Sequence, residues 1–145
     1  LDSGDIDRLS EVIRAGDSDP QFDLNLDEQV DQHDREAWVR LFANTYFGDA
    51  KLDGLFDSSD LIQVFTAAEY EDGIAMNSRW STGDWNGDGA FATGDLIAAF
   101  QDGGYERGLR TANAVPESTP ICFVIVSSIV SLKWRLQRSG RCQNT

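Results

Sequence analysis

Residues Asp84–Asp95 read DWNGDGAFATGD and place Asp84, Asn86, Asp88 and Asp95 at positions 1, 3, 5 and 12 of a twelve-residue stretch with Gly89 at position 6. Short oxygen-bearing side chains at alternate positions turn inward as a chain curls, which is how a loop surrounds a calcium ion with roughly six to eight hard oxygen ligands. Ala90, at position 7, offers its backbone carbonyl. Gly89 lacks the Cβ that clashes at positive φ and so permits the sharp turn between the two sets of ligands. Ala92, at position 9, has no ligand atom, and a water commonly serves there.

The stretch has a copy. Residues 48–73 align on 83–108 at an offset of 35 with 12 identities in 26 positions and no gap. The identities keep both the acids of the loop and the apolar positions after it, and a repeat of that kind is a statement about architecture. Loop 49–60 presents Asp49, Asp53, Asp57 and Asp60 with the Leu55 carbonyl, but Lys51 stands at position 3. The lysine removes one oxygen and brings a positive charge, so weaker calcium binding is expected there. A third loop, 23–34, reads DLNLDEQVDQHD and carries Asp23, Asn25, Asp27, Asp31 and Asp34 at positions 1, 3, 5, 9 and 12, with the Gln29 carbonyl at position 7. Glu28 replaces its glycine at position 6, which costs about 1 kcal/mol in the required turn. Residues 1–5, LDSGD, match positions 8–12 of a fourth loop.

Each terminal acid is followed by a short amphipathic run at helical spacing: Ile6, Leu9, Val12, Ile13; Trp38, Val39, Leu41, Phe42; Leu61, Ile62, Val64, Phe65; Leu96, Ile97, Ala99, Phe100. Asp60 and Asp95 suit a helix N-terminus, with Ser58, Ser59 or Thr93 as caps, and Gly73, Gly103 and Gly104 as stops. Position 8 is apolar throughout (Leu1, Val30, Phe56, Phe91), which predicts a short strand contact between paired loops: 1–5 with 23–34, and 49–60 with 84–95.

Charge narrows the function classes. The chain carries a formal net charge of −13, of which residues 1–115 hold −16 and residues 116–145 hold +3. An acidic head lacks the basic face that nucleic acids require. Both cysteines, Cys122 and Cys142, lie in the tail, so the head has no disulfide framework and needs another staple, for which a metal is the obvious candidate. Three or four carboxylates crowd each empty loop. Two such charges ~4 Å apart repel by about 4 kcal/mol at an effective dielectric near 20, so ion binding and folding should be coupled. The chain begins at Leu1 and reads as a fragment or processed piece. No nucleophile or zinc motif is present, the single histidine, His33, lies in a loop, and Trp85 at loop position 2 reads as a cover for the neighbouring helix rather than a sugar platform.

Beyond Gly108 the character changes. Residues 109–120 contain Pro116 and Pro120 and read as a linker. Residues 121–132, ICFVIVSSIVSL, are uncharged and are followed by Lys133, Arg135, Arg138 and Arg141. Twelve residues give about 18 Å of helix against a hydrocarbon core of about 30 Å, too short for a stable span. Beside four bases the run suits a membrane-targeting segment, with its positive end cytoplasmic and the acidic head outside.

These loops, each followed by a short apolar helix, resemble dockerin type I repeats, which are F-hand modules related to EF-hands. The resemblance covers residues 44–108 as a pair with two calcium loops and 1–43 as a truncated or degenerate pair. It implies an all-α fold, calcium-dependent folding, and attachment to a cohesin-like or other surface protein, with positions 10 and 11 (Ser58, Ser59, Thr93, Gly94) carrying recognition. The segment 121–145, preceded by Val115, Pro116, Glu117 and Ser118, resembles a bacterial PEP-type C-terminal sorting signal, which implies export, processing and surface placement with transient membrane anchoring. The expectation is a non-catalytic Ca2+-binding attachment module of a secreted or surface protein. A C-terminal piece of an extracellular polysaccharide-degrading hydrolase and a calcium-stabilised spacer are the alternatives.

Overall fold

Every helix begins on the last turn of a loop. Helix α1 spans Ser3–Ala15, α2 Gln32–Ala37, α3 Ser58–Thr66 and α4 Thr93–Gln101. In each, the acid at loop position 12 sits three residues into the first turn and accepts the backbone N–H of position 9: Asp2 to Asp5, Asp31 to Asp34, Asp57 to Asp60 and Ala92 to Asp95, all at 2.8–2.9 Å. Asp2, Asp31 and Asp57 complete the reciprocal box by accepting N–H groups of the first turn. These bonds satisfy donors that a helix start otherwise leaves open. The caps are therefore the residues at position 9, and Ser58, Ser59 and Thr93 lie inside the helices rather than capping them. LDSGD carries the same box as the complete loops, as its match to positions 8–12 required.

The computed structural model describes residues 1–111, all within one compact unit. The sorting-tail segment 121–145 and the linker from residue 112 onward lie outside the described residues. Among the described residues the fold is all-α: four α-helices, short 3-10 turns at Pro20–Phe22 and Trp80–Thr82, and no strand. None of these helices is long and apolar enough to cross a membrane.

α2 runs on into a π-helical segment, Trp38–Phe42, closed by the Ala43 N–H on the Trp38 carbonyl at 2.8 Å. The wider turn carries Leu41 and Phe42 past the face on which Trp38 and Val39 are buried, so half of the apolar run read from sequence is exposed. α4 stops at Gly103 with φ +73, as expected, but α3 stops at the corresponding Ala68 with φ +59, five residues before Gly73.

Residues 48–73 and 83–108 are related by an internal twofold relationship, and the pairing differs from that expected. Phe56 and Phe91 do not bridge each other. Phe56 bridges Tyr105, and Phe91 bridges Tyr70. Exchanging residue n with n+35 carries one bridge into the other. The Glu106 N–H donates to the Phe56 carbonyl and the Glu71 N–H to the Phe91 carbonyl, each at 2.9 Å. The rings repeat the relation, with Phe56–Tyr105 at 5.2 Å and Tyr70–Phe91 at 5.1 Å, Phe56–Phe100 and Phe65–Phe91 both at 5.4 Å. The Trp85 indole stands between the two phenylalanines, 5.9 Å from both rings, while each tyrosine packs on one of them. No bridge joins Leu1 to Val30 among the described residues either.

Gly48 and Gly83 precede the two loops with φ +99 and +117, and each lies flat against the phenylalanine of its own loop. A Cβ at either would stand 2.5–2.6 Å from a ring carbon of Phe56 or Phe91. The core joins both halves of the head: Ile6, Leu9, Trp38 and Val39 cluster with Phe47, Ala50, Phe56, Val64, Trp80, Trp85, Phe91 and Ala99. The Trp80 indole N–H donates to the Asp49 carbonyl at 2.7 Å, and its backbone N–H donates to the Asp7 carboxylate at 2.8 Å.

Candidate metal centre

The three complete loops share one backbone path. Positive φ recurs at position 4 (Leu26 +65°, Leu52 +56°, Gly87 +86°) and at position 6 (Glu28 +68°, Gly54 +85°, Gly89 +89°). Position 6 was expected; position 4 was not, because leucine gives no sign of it. The carboxylate at position 1 sets the curl. Asp23 accepts from Asp27 and Glu28, Asp49 from Asp53 and Gly54, and Asp84 from Gly87 and Gly89, at 2.8–3.2 Å. Position 5 then accepts from position 7: Asp27 from Gln29, Asp53 from Leu55, Asp88 from Ala90. In loops 23–34 and 84–95 the asparagine Oδ1 accepts the position-5 N–H, and its Nδ2 donates to the other position-5 oxygen. The acid at position 12 reaches back: Asp34 Oδ1 accepts from Leu24 and Asn25, and Asp95 Oδ1 from Asn86. Asp34 Oδ1 and Asp84 Oδ2 each hold two donors, whereas both oxygens of Asp88 receive one and keep a second lone pair.

Burial raises the electrostatic cost. Asp34, Asp49, Asp60 and Asp95 are 0% exposed and Asp84 is 4% exposed. Burial pushes Asp84 up to about 6, with Arg35 pulling it down and Asp95 pushing it further up. Burial likewise raises Asp49, Asp60 and Asp95 above the ordinary range. A buried carboxylate held against its own charge is what a divalent cation relieves. The donors are hard oxygens, which select calcium or magnesium over softer metals. On donor chemistry and burial, Asp84, Asn86, Asp88, the Ala90 carbonyl and Asp95 fit calcium. Asp23, Asn25, Asp27, the Gln29 carbonyl, Asp31 and Asp34 fit it on donor chemistry alone, since only Asp34 among them is buried and Asp31 already accepts from the His33 N–H. Among the described residues no three His, Cys, Asp or Glu side chains converge as a ready-made cluster; loops 23–34 and 84–95 spread their acids along the curl, with an asparagine and a carbonyl between them.

Loop 49–60 is different. The Lys51 ammonium turns inward, 3.1 Å from Asp53 and 3.9 Å from both Asp57 and Asp60, and donates to the Ser59 hydroxyl. The Thr45 hydroxyl bonds the Asp49 carboxylate from outside the loop.

Two arginines that no sequence pattern marks pack on loop 84–95. Arg14 of α1 donates to the Gly87 carbonyl at 2.7 Å and stands 3.4 Å from Asp84. Arg35 of α2 is 1% exposed, with its guanidinium where a Cβ of Gly87 would lie, and burial lowers it to about 10. The sequence clue was glycine at both Gly87 and Gly89, since a loop without side chains at those points admits neighbours.

The residues expected to carry recognition, Ser58, Ser59, Thr93 and Gly94, are all exposed; the Ser59 hydroxyl bonds Asp57 and the Thr93 hydroxyl bonds Glu71. Trp85 is 0% exposed and presents no face to a sugar. His33 is exposed and bonded to Asp31 at 3.0 Å. Comparison of the chain with protein-family models, curated proteins and solved structures finds no match.

Proposed function

We propose that the head is a non-catalytic, calcium-binding attachment module of dockerin-like, F-hand type, belonging to a secreted or surface protein. The observation that carries this is the hydrogen-bond skeleton shared by loops 23–34 and 84–95, with oxygen-bearing residues at positions 1, 3, 5 and 12. In a bare turn a neutral asparagine could accept the same N–H groups at position 1, whereas Asp49 and Asp84 are carboxylates buried there. When bound, calcium supplies the charge that Asp84 and Asp95 lack and fixes the entry to α4.

An attachment role is supported by apolar side chains left outside the core in related pairs. Ile62 and Phe65 on α3 are 66% and 47% exposed, and Ile97 and Phe100 on α4 are 50% and 47% exposed. With Ser58 and Gly94 these give the surface two similar apolar faces. The partner is a cohesin-like or other surface protein, and the C-terminal segment brings the module to the membrane.

The test is a calcium titration of the full chain followed by circular dichroism and calorimetry. Helix content and melting temperature should rise with calcium, and Asp84→Ala should remove the tightest site. Equal helicity and heat resistance with and without chelator would end this reading.

A further inference from the structure

We propose that the side-chain ammonium of Lys51 is the resident cation of loop 49–60, so that this loop is closed by its own chain and takes no calcium. The inference rests on the calcium reading of loops 84–95 and 23–34, and divides the related pair into one ion-dependent half and one self-sufficient half.

The geometry has two independent parts. The first is the ammonium itself. It reaches position 5 (Asp53, 3.1 Å), position 9 (Asp57, 3.9 Å) and position 12 (Asp60, 3.9 Å), and bonds position 11 (Ser59, 2.5 Å). These are oxygens the loop would otherwise offer an ion. The Ser59 hydroxyl in turn donates to the Asp57 carboxylate, so the ammonium, the hydroxyl and the carboxylate form one hydrogen-bonded chain. Gly94 and His33 hold the same position in the other loops, and neither carries a hydroxyl.

The second part is Asp60. It is 0% exposed, and its Oδ1 has no hydrogen-bond partner among the described residues. In the other loops the equivalent oxygen accepts the position-3 N–H, from Asn86 at 2.8 Å and from Asn25 at 3.2 Å. Here that bond is missing, and the nearest positive charge to the freed oxygen is the Lys51 ammonium, 3.9 Å away. A buried carboxylate oxygen stripped of its usual donor needs a cation. The lysine provides it, and a divalent ion entering beside that ammonium would meet repulsion and a lost position-3 ligand together.

Magnesium or calcium should therefore act on α4 while leaving α3 as it is. Calorimetry on the full chain would compare wild type with Lys51→Asn, which restores the residue found at position 3 in the other loops. We expect Lys51→Asn to bind one more calcium per chain than wild type. Unchanged stoichiometry would overturn the proposal. A second measurement needs no variant at loop 49–60: in labelled wild-type protein the Gly89 amide, bonded to Asp84, should shift on calcium addition while the Gly54 amide, bonded to Asp49, holds. A comparable shift of Gly54 would also overturn it. Wild type that binds no calcium, together with Lys51→Asn that binds one, would leave the lysine assignment standing and remove the reading of the other loops.

Discussion

Arg14 and Asp84 meet at 3.4 Å across seventy residues of sequence, and the same guanidinium holds the Gly87 carbonyl at 2.7 Å. A helix from the first residues of the chain is thereby fastened to the loop that combines oxygen ligands with glycine at position 6. Arg14 is a fixed positive charge beside a carboxylate that calcium would also use. Arg14→Met should lower the melting temperature of calcium-free protein, because a nearly buried acid loses its partner at a cost of about 1–3 kcal/mol. The same variant should bind calcium several-fold more tightly, since a competing charge has gone. Thermal melts in calcium and in chelator check this; an equal drop in both would show the contact to be packing alone.

Acidity should act in opposite directions on the free and the bound protein. Burial raises Asp84 from 3.8 to about 6 in the fold. The fold therefore favours its neutral form, and that contribution to stability is complete below 3.8 and lost as pH rises through about 6. Asp49, Asp60 and Asp95 shift in the same direction. Between about pH 7 and pH 5 the calcium-free protein should gain stability, by roughly 1 kcal/mol from Asp84, with the rest of that gain arriving below pH 5. Calcium affinity should fall over the same interval, because the ligand must be ionised. Melting temperatures measured against pH with and without calcium should have opposite slopes, and parallel slopes would contradict the assignment of Asp84.

The glycines before the loops should be far less replaceable than those in open turns. At Gly83 an added methyl would meet both a backbone at φ +117 and the ring of Phe91 2.5 Å away. Gly83→Ala should cost about 2–4 kcal/mol from strain and overpacking together. Gly73 has φ +76 but nothing within 4 Å, so Gly73→Ala should cost only about 1 kcal/mol. Urea unfolding of the two variants separates these effects, and similar losses would mean that the ring contact yields easily.

Glu28 holds position 6 of its loop at φ +68, where a side chain is strained. Glu28→Gly should relieve up to about 1 kcal/mol of that strain, partly offset by the freedom glycine adds to the unfolded chain. The clearer readout is calcium affinity at loop 23–34, which should rise. An unchanged isotherm would show that the curl was not limiting.

The alternation of acids made the loops visible in sequence because each loop folds on itself: Asp84 bonds residues three and five places on, and Asp95 reaches back nine. Helix positions were legible for the same reason, since the box at positions 9 and 12 is local. What escaped were choices made across the chain. Tyr70 and Tyr105 were visible as repeated residues, but no periodicity says that each bridges the loop of the other repeat. Arg35 reads as a helix-surface charge until Gly87 leaves room for its guanidinium. Lys51 looked like a defect in a ligand set because spacing carries no information on which way a long side chain turns. Ala68 ends α3 although glycine ends α4, so the tertiary path rather than local preference fixes that stop.

Trp85 is equidistant from Phe56 and Phe91, and the corresponding residue of the other repeat is Ala50, itself 3% exposed. A point midway between two mirrored partners has room for one large side chain, never two. Copying either repeat over its sibling would crowd two indoles into that space or leave none to fill it. In this chain the two segments, alike at so many other positions, part company at this pair, and one unmatched indole fills the middle.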